Sequence, residues 1–254
     1  KIMIKLKNII KKYGDKSIID DVSVDIPKGE VIAFIGANGA GKSTLLSIIS
    51  RTLSKNNGEV YIDEKELSKW DNNELSKKIS ILKQSNNLNI RLTVKELVSF
   101  GRFPYSKGKL NKEDKKIIDD AIKYMGIEHL QDRYLDELSG GQKQMAFIAM
   151  IIAQDTEYIF LDEPLNNLDM HHCVKIMKNV KKLAREKNKT IIVVIHDINF
   201  VSLYADHIIA MKDGKIVENN KKEEVIKEPI LKEIYGMDIQ VKNIDGQNIC
   251  LYYS

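Results

Sequence analysis

The feature that most constrains this chain is the segment Gly36-Ala-Asn-Gly-Ala-Gly-Lys-Ser43, which follows the apolar run Val31–Ile35. It matches the pattern G-x-x-x-x-G-K-[ST] in full. A continuous apolar run is typical of a strand buried on both faces of a parallel sheet, and residues 44–49 have helical composition. A glycine-rich loop between such a strand and a helix points its backbone N–H groups inward and forms an anion-binding nest. The segment therefore predicts a phosphate-binding loop.

Each residue type in this loop has a separate role in binding a nucleotide. Glycines permit the close approach of the backbone to the phosphates, Lys42 reaches the β- and γ-phosphates, and the Ser43 hydroxyl is a ligand for Mg²⁺. The loop residues that we expect to contact the nucleotide are Gly36, Asn38, Gly39, Gly41, Lys42, Ser43 and Thr44.

Two further apolar runs, Tyr158 to Leu161 and Ile191 to Ile195, predict more buried strands. Between the two halves of the chain, residues 85–152 show no convincing strand, whereas Asn111 to Met125 has a capping residue and one apolar face, which predicts a helix. Residues 208–217 predict a hairpin that turns at Asp213-Gly214. Strands that alternate with helices favour an α/β core with a mostly parallel sheet, here with a helical insertion.

The composition of the 254 residues excludes several classes of protein. Forty Lys and Arg against 36 Asp and Glu leave a net charge of +4, spread along the chain, which does not indicate nucleic-acid binding. Two cysteines, Cys173 and Cys250, are too few for a disulfide framework or a metal cluster and are expected to be reduced thiols. No run approaches the roughly 18 apolar residues of a spanning helix, and no signal peptide opens the chain. We therefore expect any membrane role to depend on a partner.

Acidic residues end the strand at Tyr158 to Leu161. Asp162 stands where an ATPase with a phosphate-binding loop holds its Mg²⁺, directly or through water. Glu163 follows and projects from the opposite side of the backbone, where a carboxylate can polarise the attacking water. An Asp-Glu pair after a strand is weak evidence alone, and the loop at Gly36 to Ser43 makes it strong.

The segment Leu138-Ser-Gly-Gly-Gln142 narrows the class further. Ser139 and two glycines open a predicted helix, which makes a second anion-binding helix N-terminus. One nucleotide needs only one phosphate-binding loop, so the natural use of a second is to contact the γ-phosphate bound to another copy. At this point the sequence resembles the ATP-binding subunits of ABC transporters, whose signature motif is Leu-Ser-Gly-Gly-Gln.

The resemblance covers nearly the whole chain and implies a fold: one ABC ATPase domain over 1–254. Its RecA-like α/β core with an antiparallel β portion would comprise 1–84 and 154–254, and residues 85–153 would form an inserted α-helical subdomain. ATP and Mg²⁺ are the implied cofactors. Two copies would face head to tail, so that Ser139, Gly140, Gly141 and Gln142 of one copy complete the site of the other.

The resemblance also assigns single residues. Tyr13 would stack on adenine, Gln84 would contact Mg²⁺ and water, and His196 would contact the γ-phosphate. Asn167-Leu168-Asp169 would be the D-loop that crosses the dimer interface, with Asp169 near the nucleotide. The implied catalytic set is Lys42, Glu163 and His196, and the implied metal ligands are Ser43, Gln84 and Asp162. The histidines His129, His171, His172 and His207 match nothing and are interpreted as surface or packing residues.

A finer resemblance concerns cargo. Leu92 to Tyr105, which contains Gly-Arg-Phe-Pro, together with residues 153–156 and 231–236, resembles the ATPases of bacterial ferric-siderophore and cobalamin importers. This implies integral membrane permease subunits as partners, indirectly a substrate-binding protein, and a place on the cytoplasmic face of a bacterial cell membrane. The siderophore is expected to be a catecholate. The alternatives are an importer of cobalamin or haem, and an ABC ATPase that moves no solute, such as one for iron–sulfur assembly.

Overall fold

A computed structural model describes residues 2–84 and 90–252, with the side chains of residues 2 and 3 left aside. The strands in these ranges are β1 (Ile2–Tyr13), β2 (Lys16–Pro27), β3 (Val31–Ile35), β4 (Asn57–Ile62), β5 (Lys65–Glu66), β6 (Ile79–Leu82), β7 (Tyr158–Asp162), β8 (Thr190–Val194), β9 (His207–Lys212), β10 (Lys215–Lys221), β11 (Gln240–Ile244) and β12 (Gln247–Leu251). The α-helices are α1 (Lys42–Ile49), α2 (Asn72–Lys78), α3 (Val94–Ser99), α4 (Phe103–Ser106), α5 (Lys112–Met125), α6 (Gly140–Ala153), α7 (Met170–Lys187), α8 (Ile198–Tyr204), α9 (Lys222–Val225) and α10 (Glu228–Tyr235).

The central sheet has the strand order β10-β9-β3-β8-β7-β6. Strands β9, β3, β8, β7 and β6 pair in parallel, and β10 returns antiparallel to β9. Every residue of β3, β7 and β8 is buried, which explains why these strands are continuous apolar runs in the sequence. The carboxyl ends of β3 and β7 carry the predicted phosphate-binding loop and the acidic pair.

A second sheet, β2-β1-β4-β5, is antiparallel throughout. Helix α1 joins the two sheets, because Leu45, Leu46 and Ile49 on it belong to one buried cluster with residues of β1, β2, β3 and β8. This packing fixes α1, and with it the loop at its N-terminus, between the sheets. The α/β fold with an antiparallel portion is thus confirmed.

The described residues between β6 and β7 form helices α3 to α6 and short 3₁₀ turns, with one isolated bridge between Thr93 and Tyr134. The predicted helix at Asn111 to Met125 is confirmed as α5: the Asn111 side chain accepts from the Asp114 amide at 2.8 Å, and Gly126 ends the helix at φ 64°. The division of the chain at residues 85 and 153 stays a prediction, and residues 85–89 lie outside the described residues.

The hairpin predicted at 208–217 is confirmed as β9 and β10, with its turn at Asp213-Gly214. Cys173 and Cys250 are both buried as free thiols. In the ranges that the structure describes, no helix is both long and apolar enough to cross a membrane.

Candidate nucleotide-binding site

The segment from Gly36 to Ser43 connects β3 to α1 as predicted, and its last two residues are the first two of α1. Gly36 has φ 135°, and a Cβ atom there would lie 2.0 Å from the Met211 carbonyl oxygen, so only glycine fits. Lys42 is buried, and its Nζ donates to the carbonyl oxygens of Gly36 at 2.8 Å and Ala37 at 2.9 Å. The ammonium group thereby lies within the curve of the loop, where a phosphate would need a cation.

Opposing effects act on the pKa of Lys42. Burial lowers it, and the nearby carboxylates Glu163 and Asp162 raise it, with burial the stronger effect. A bound phosphate would add more negative charge and favour the protonated form further. The site is therefore arranged so that an anionic ligand completes the charge balance of Lys42.

Asp162 at the end of β7 faces Ser43 at the start of α1. The Ser43 hydroxyl donates to Asp162 Oδ1 at 2.7 Å. Burial raises the pKa of the Asp162 carboxyl, and the hydrogen bond from Ser43 acts in the opposite direction. A hydroxyl and a carboxylate at this distance are two oxygen ligands of the kind that Mg²⁺ prefers beside phosphates.

The carboxylate of Glu163 is held from several sides. Gln84 Nε2 donates to Oε2 at 2.6 Å, Asn166 Nδ2 donates to the same oxygen, and His196 Nε2 lies 2.6 Å from Oε1. Glu163 itself has φ 50°, a left-handed backbone conformation that is uncommon for a residue other than glycine and that clusters at functional sites. Two side chains from distant parts of the sequence, Gln84 and His196, and the nearby Asn166 thus orient one carboxylate at the mouth of the loop.

These elements enclose an open cavity of about 660 Å³. Its lining consists of Lys16, Ile18, Asn38, Gly39, Gly41, Lys42, Ser43, Thr44, Gln84, Glu163, Asn166 and His196. Of the predicted residues, Tyr13 lies outside this lining, half exposed, with Lys11 Nζ 5.0 Å from its ring centroid. Tyr13 nevertheless pairs in register with Lys16, so it stands at the edge of the cavity.

The signature segment is organised as a helix start. The Ser139 hydroxyl accepts from the Gln142 amide at 3.3 Å, and Gln142 Oε1 accepts from the Ser139 amide at 3.1 Å. These reciprocal bonds form a capping box at the start of α6. Gly140 has open space around it, whereas a Cβ on Gly141 would lie 2.5 Å from the His172 ring.

The predicted D-loop lies beside helix α6, which the signature segment begins. Asp169 caps α7, because its Oδ1 accepts from the His172 amide at 2.9 Å, and the His172 ring packs on Gly141. Among the described residues that line the cavity, none is Asp169 or belongs to Ser139 to Gln142. One chain therefore brings its loop, Asp162, Glu163, Gln84 and His196 together, and leaves its signature apart from them.

Known proteins resemble this chain in sequence and in fold. The sequence profile described as ABC transporter matches residues 19–166, a span that holds the phosphate-binding loop, the signature and the acidic pair. The chain belongs to the ABC transporter family. The petrobactin import ATP-binding protein YclP of Bacillus subtilis is 58% identical over 99% of this chain and 100% of its own length. The petrobactin import ATP-binding protein FatE of Bacillus anthracis is 46% identical over 94% of this chain and 96% of its own length.

Solved ABC cassettes have the same fold. The dimeric structure of the bacterial cassette MJ0796 has a TM-score of 0.78 and 36% identity, and covers 87% of this chain and 99% of that one. CbiO1 of Clostridium perfringens, part of the transporter complex cbiONQ, has a TM-score of 0.79 and 32% identity, and covers 91% of this chain and 93% of that one. The chain is therefore an ABC ATPase.

The sequence did not single out three residues that line the cavity of this ABC ATPase, namely Lys16, Ile18 and Asn166. Lys16 and Ile18 lie on β2, whose sequence carries no phosphate-binding pattern, and only the fold brings them to the loop. Asn166 lies three residues after Glu163 and directly before the predicted D-loop. That position in the sequence is the one signal by which it could have been predicted as a site residue.

Proposed function

We propose that this chain is the ATP-hydrolysing subunit of a bacterial importer that takes an iron–siderophore complex into the cell, with petrobactin as the siderophore. The similarity to YclP over the full length of both chains carries the proposal. Other relatives support the siderophore class, among them the iron(3+)-hydroxamate protein FhuC of Bacillus subtilis, 38% identical over 95% of this chain and 91% of its own length. The subunit would work on the cytoplasmic face of the membrane, with permease subunits as direct partners and a substrate-binding protein as an indirect one.

In the proposed mechanism, two copies close head to tail on ATP. The signature segment supports this, because Ser139 and Gly140 are exposed at a helix N-terminus apart from their own cavity. A two-fold axis would give two equivalent composite sites. Each site would join the phosphate-binding loop of one copy to the signature helix of the other, and closure would exclude bulk water.

Within each site the chain's own groups would divide the chemistry. Lys42 and the loop amides would hold the phosphates, and Ser43 and Asp162 would hold Mg²⁺, with Gln84 as a further ligand; when bound, the ion neutralises charge that develops on the phosphoryl group. Glu163 would accept a proton from the attacking water, and His196 would both orient Glu163 and contact the γ-phosphate. Asn166 and Gln84 would keep the carboxylate of Glu163 in position.

The segment from Leu92 to Tyr105, which suggests the cargo, also exposes aromatic side chains to solvent. Phe100, Phe103 and Tyr105 have exposed fractions of 51%, 58% and 38%. Phe103 and Tyr105 are therefore exposed and are not buried in the core of the helical segment. Three exposed aromatic residues within six positions form an apolar patch of the kind that marks a protein–protein contact. We propose that this aromatic patch docks a helix of the permease.

The patch rests on a rigid support. Arg102 is buried between the exposed residues: its Nε donates to Asp114 Oδ1 at 2.9 Å, and its Nη1 donates to the Ala153 carbonyl oxygen at 3.0 Å. Arg102 lowers the pKa of the Asp114 carboxyl, so this carboxyl stays ionised at neutral pH. At Gly101 a Cβ would lie 2.2 Å from the Met150 carbonyl oxygen. The Gly-Arg pair thus fixes α4 on α5 and α6, and the aromatic side chains project outward.

We expect Phe103→Asp to break the contact with the permease and to leave the isolated subunit active. A charge in the centre of an apolar contact is expected to weaken permease binding at least about tenfold, whereas ATP hydrolysis by the purified subunit is expected to stay near the wild-type rate. Co-purification with the permease in detergent measures the first and phosphate release measures the second. Ile244→Asp, an exposed apolar position on β11, is the matched control, and equal permease binding by both variants would refute the docking surface.

Deletion of this subunit is expected to impair growth under iron limitation alone and to reduce uptake of radiolabelled ferric petrobactin to the background of a strain without the importer. Uptake should return with the wild-type gene and not with a Glu163→Gln copy. Ferric hydroxamate, cobalamin and haem uptake measured in parallel identify the cargo. Normal petrobactin uptake in a strain without a redundant ATPase, together with loss of one of the other solutes, would contradict the cargo proposal. If no membrane protein co-purifies with the subunit, an ABC ATPase that moves no solute would be favoured.

A further inference from the structure

Three side chains with metal-binding atoms meet at the start of α7. Asp169, His171 and His172 each offer one ligand atom, and these atoms all lie within 4.8 Å of one another. Within residues 2–84 and 90–252 this is the one such group of three or more His, Cys, Asp or Glu. It lies outside the lining of the nucleotide cavity of its own chain, and the proposed hydrolysis gives no role to His171 and His172.

The local fold sets the geometry of this cluster. Asp169 uses Oδ1 to cap α7 through the His172 amide at 2.9 Å, which leaves Oδ2 directed toward the imidazole, 2.7 Å from His172 Nδ1. The His171 ring stands edge-on to the His172 ring, with centroids 5.5 Å apart. The bond from the His172 amide to Oδ1 therefore orients the carboxylate of Asp169 without using Oδ2. Hydrogen bonds of this kind orient the ligands of metal ions in proteins.

The distances are close to those that a four-coordinate ion requires. Bonds of about 2.0–2.1 Å in tetrahedral geometry separate neighbouring ligand atoms by about 3.3 Å. The Asp169–His172 pair at 2.7 Å must open slightly, and the widest separation of at most 4.8 Å must close. Asp169 and His171 are exposed, His172 lies against Gly141, and the Asp169 carboxylate is held by its two hydrogen bonds to His172. Formation of the site would need a small widening of the Asp169–His172 pair and a movement of the His171 side chain toward it.

We propose that Asp169, His171 and His172 bind one late first-row divalent metal ion, such as Zn²⁺, Ni²⁺ or Co²⁺. Two imidazole nitrogens and one carboxylate favour these ions over Mg²⁺ and Ca²⁺, which select oxygen ligands. The partial positive charge at the N-terminus of α7 repels a cation. The negative charge of Asp169, which lies closer to the ion, attracts it and offsets this repulsion. Three protein ligands leave the fourth position to water.

Binding of this metal ion would not depend on the cargo or on the direction of transport. It also differs from the Mg²⁺ site, whose ligands Ser43 and Asp162 are oxygen donors. A bound ion would take the place of the proton in the Asp169–His172 hydrogen bond and would tie His171 to both. The D-loop and the signature helix would then be linked through His172 and Gly141.

Titration of the full, tag-free, nucleotide-free chain with Co²⁺ tests the site, because four-coordinate Co²⁺ gives visible absorption bands far more intense than those of Co²⁺ in water and Zn²⁺ displaces it. The expected result is one Co²⁺ per chain, released by Zn²⁺ and unaffected by excess Mg²⁺. His171→Gln removes one ligand and is expected to weaken binding by about tenfold or more. His129→Gln, which changes an exposed histidine outside the cluster, is expected to bind like the wild type.

Several results would overturn the site. Absence of the bands in the wild-type chain would do so, and so would unchanged affinity in His171→Gln. The latter result would place the ion elsewhere, for example at the Glu163–His196 pair, and loss of binding in His196→Gln would identify that pair. Equal loss in His129→Gln would also contradict the assignment. Circular dichroism of each variant confirms that it is folded, so that a loss of binding reports on the ligand.

Discussion

The Glu163→Gln variant is expected to hydrolyse ATP about 10²–10⁴-fold more slowly than the wild type, the range that a general base contributes. ATP binding and closure of the dimer are expected to persist. Glutamine keeps the shape of the side chain and its oxygen acceptor, but it cannot take the proton of the attacking water. The ATP-bound dimer should therefore accumulate, because the step that reopens it is blocked.

Size-exclusion chromatography with ATP and Mg²⁺ measures this accumulation. The variant should elute as a stable dimer that returns to monomer when ATP is removed, while the wild-type chain should turn over its ATP and show little dimer. Glu233→Gln, an exposed carboxylate on α10, serves as the control and should behave like the wild type. A Glu163→Gln chain that stays monomeric and hydrolyses ATP normally would remove Glu163 from its proposed role.

The core of the site could be predicted from sequence because its signals are local. The loop at Gly36 to Ser43, the buried strand before it and the helix after it are contiguous, so residue type and spacing predict their geometry. Asp162 is the last residue of β7 and Glu163 is the next residue in the chain, so the position of the acidic pair depends only on that strand. The capping box at Ser139 and Gln142 is likewise contained within four residues, and sequence spacing alone suggests it.

Contacts between distant segments could not be predicted in this way. Gln84 reaches Glu163 across 79 positions and His196 reaches it across 33, and only the family resemblance suggested that they meet. Ile18 reaches the cavity because β2 pairs with β1 in the second sheet, which no local pattern indicates. The strands β11 and β12 of the C-terminal hairpin are half polar and mostly exposed, and their apolar residues do not alternate with the period of two that indicates a strand.

The position of the signature helix is the part of the structure that bears most directly on assembly. A site built within one chain would need Ser139 near Lys42, yet Ser139 does not line the cavity that Lys42 lines. Two lesions, Lys42→Ala and Ser139→Arg, distinguish the two arrangements. Lys42→Ala removes the cation that the phosphates need, and Ser139→Arg places a bulky side chain at the N-terminus of α6. Each variant alone is expected to lose nearly all ATP hydrolysis.

An equal mixture of the two variants is expected to regain activity if the signature acts across the dimer. In a heterodimer, one composite site carries both lesions and the other carries neither. Random pairing makes half of the dimers mixed, so independent sites would give about a quarter of wild-type activity, because each mixed dimer keeps one of its two equivalent sites. If Ser139 acted within its own chain, every site would carry one lesion and no activity would return.

A second mixture, Lys42→Ala with Glu163→Gln, supplies the matched control. Both lesions lie on the loop side of the site, since Lys42 and Glu163 line the same cavity. Every site in such a heterodimer is therefore damaged, and this mixture is expected to show no recovery. Phosphate release measures both mixtures, and two different affinity tags confirm that heterodimers form. Recovery in the control mixture, or its absence in the first mixture despite isolated heterodimers, would contradict the head-to-tail arrangement, because only a signature supplied by the other copy makes the two mixtures differ.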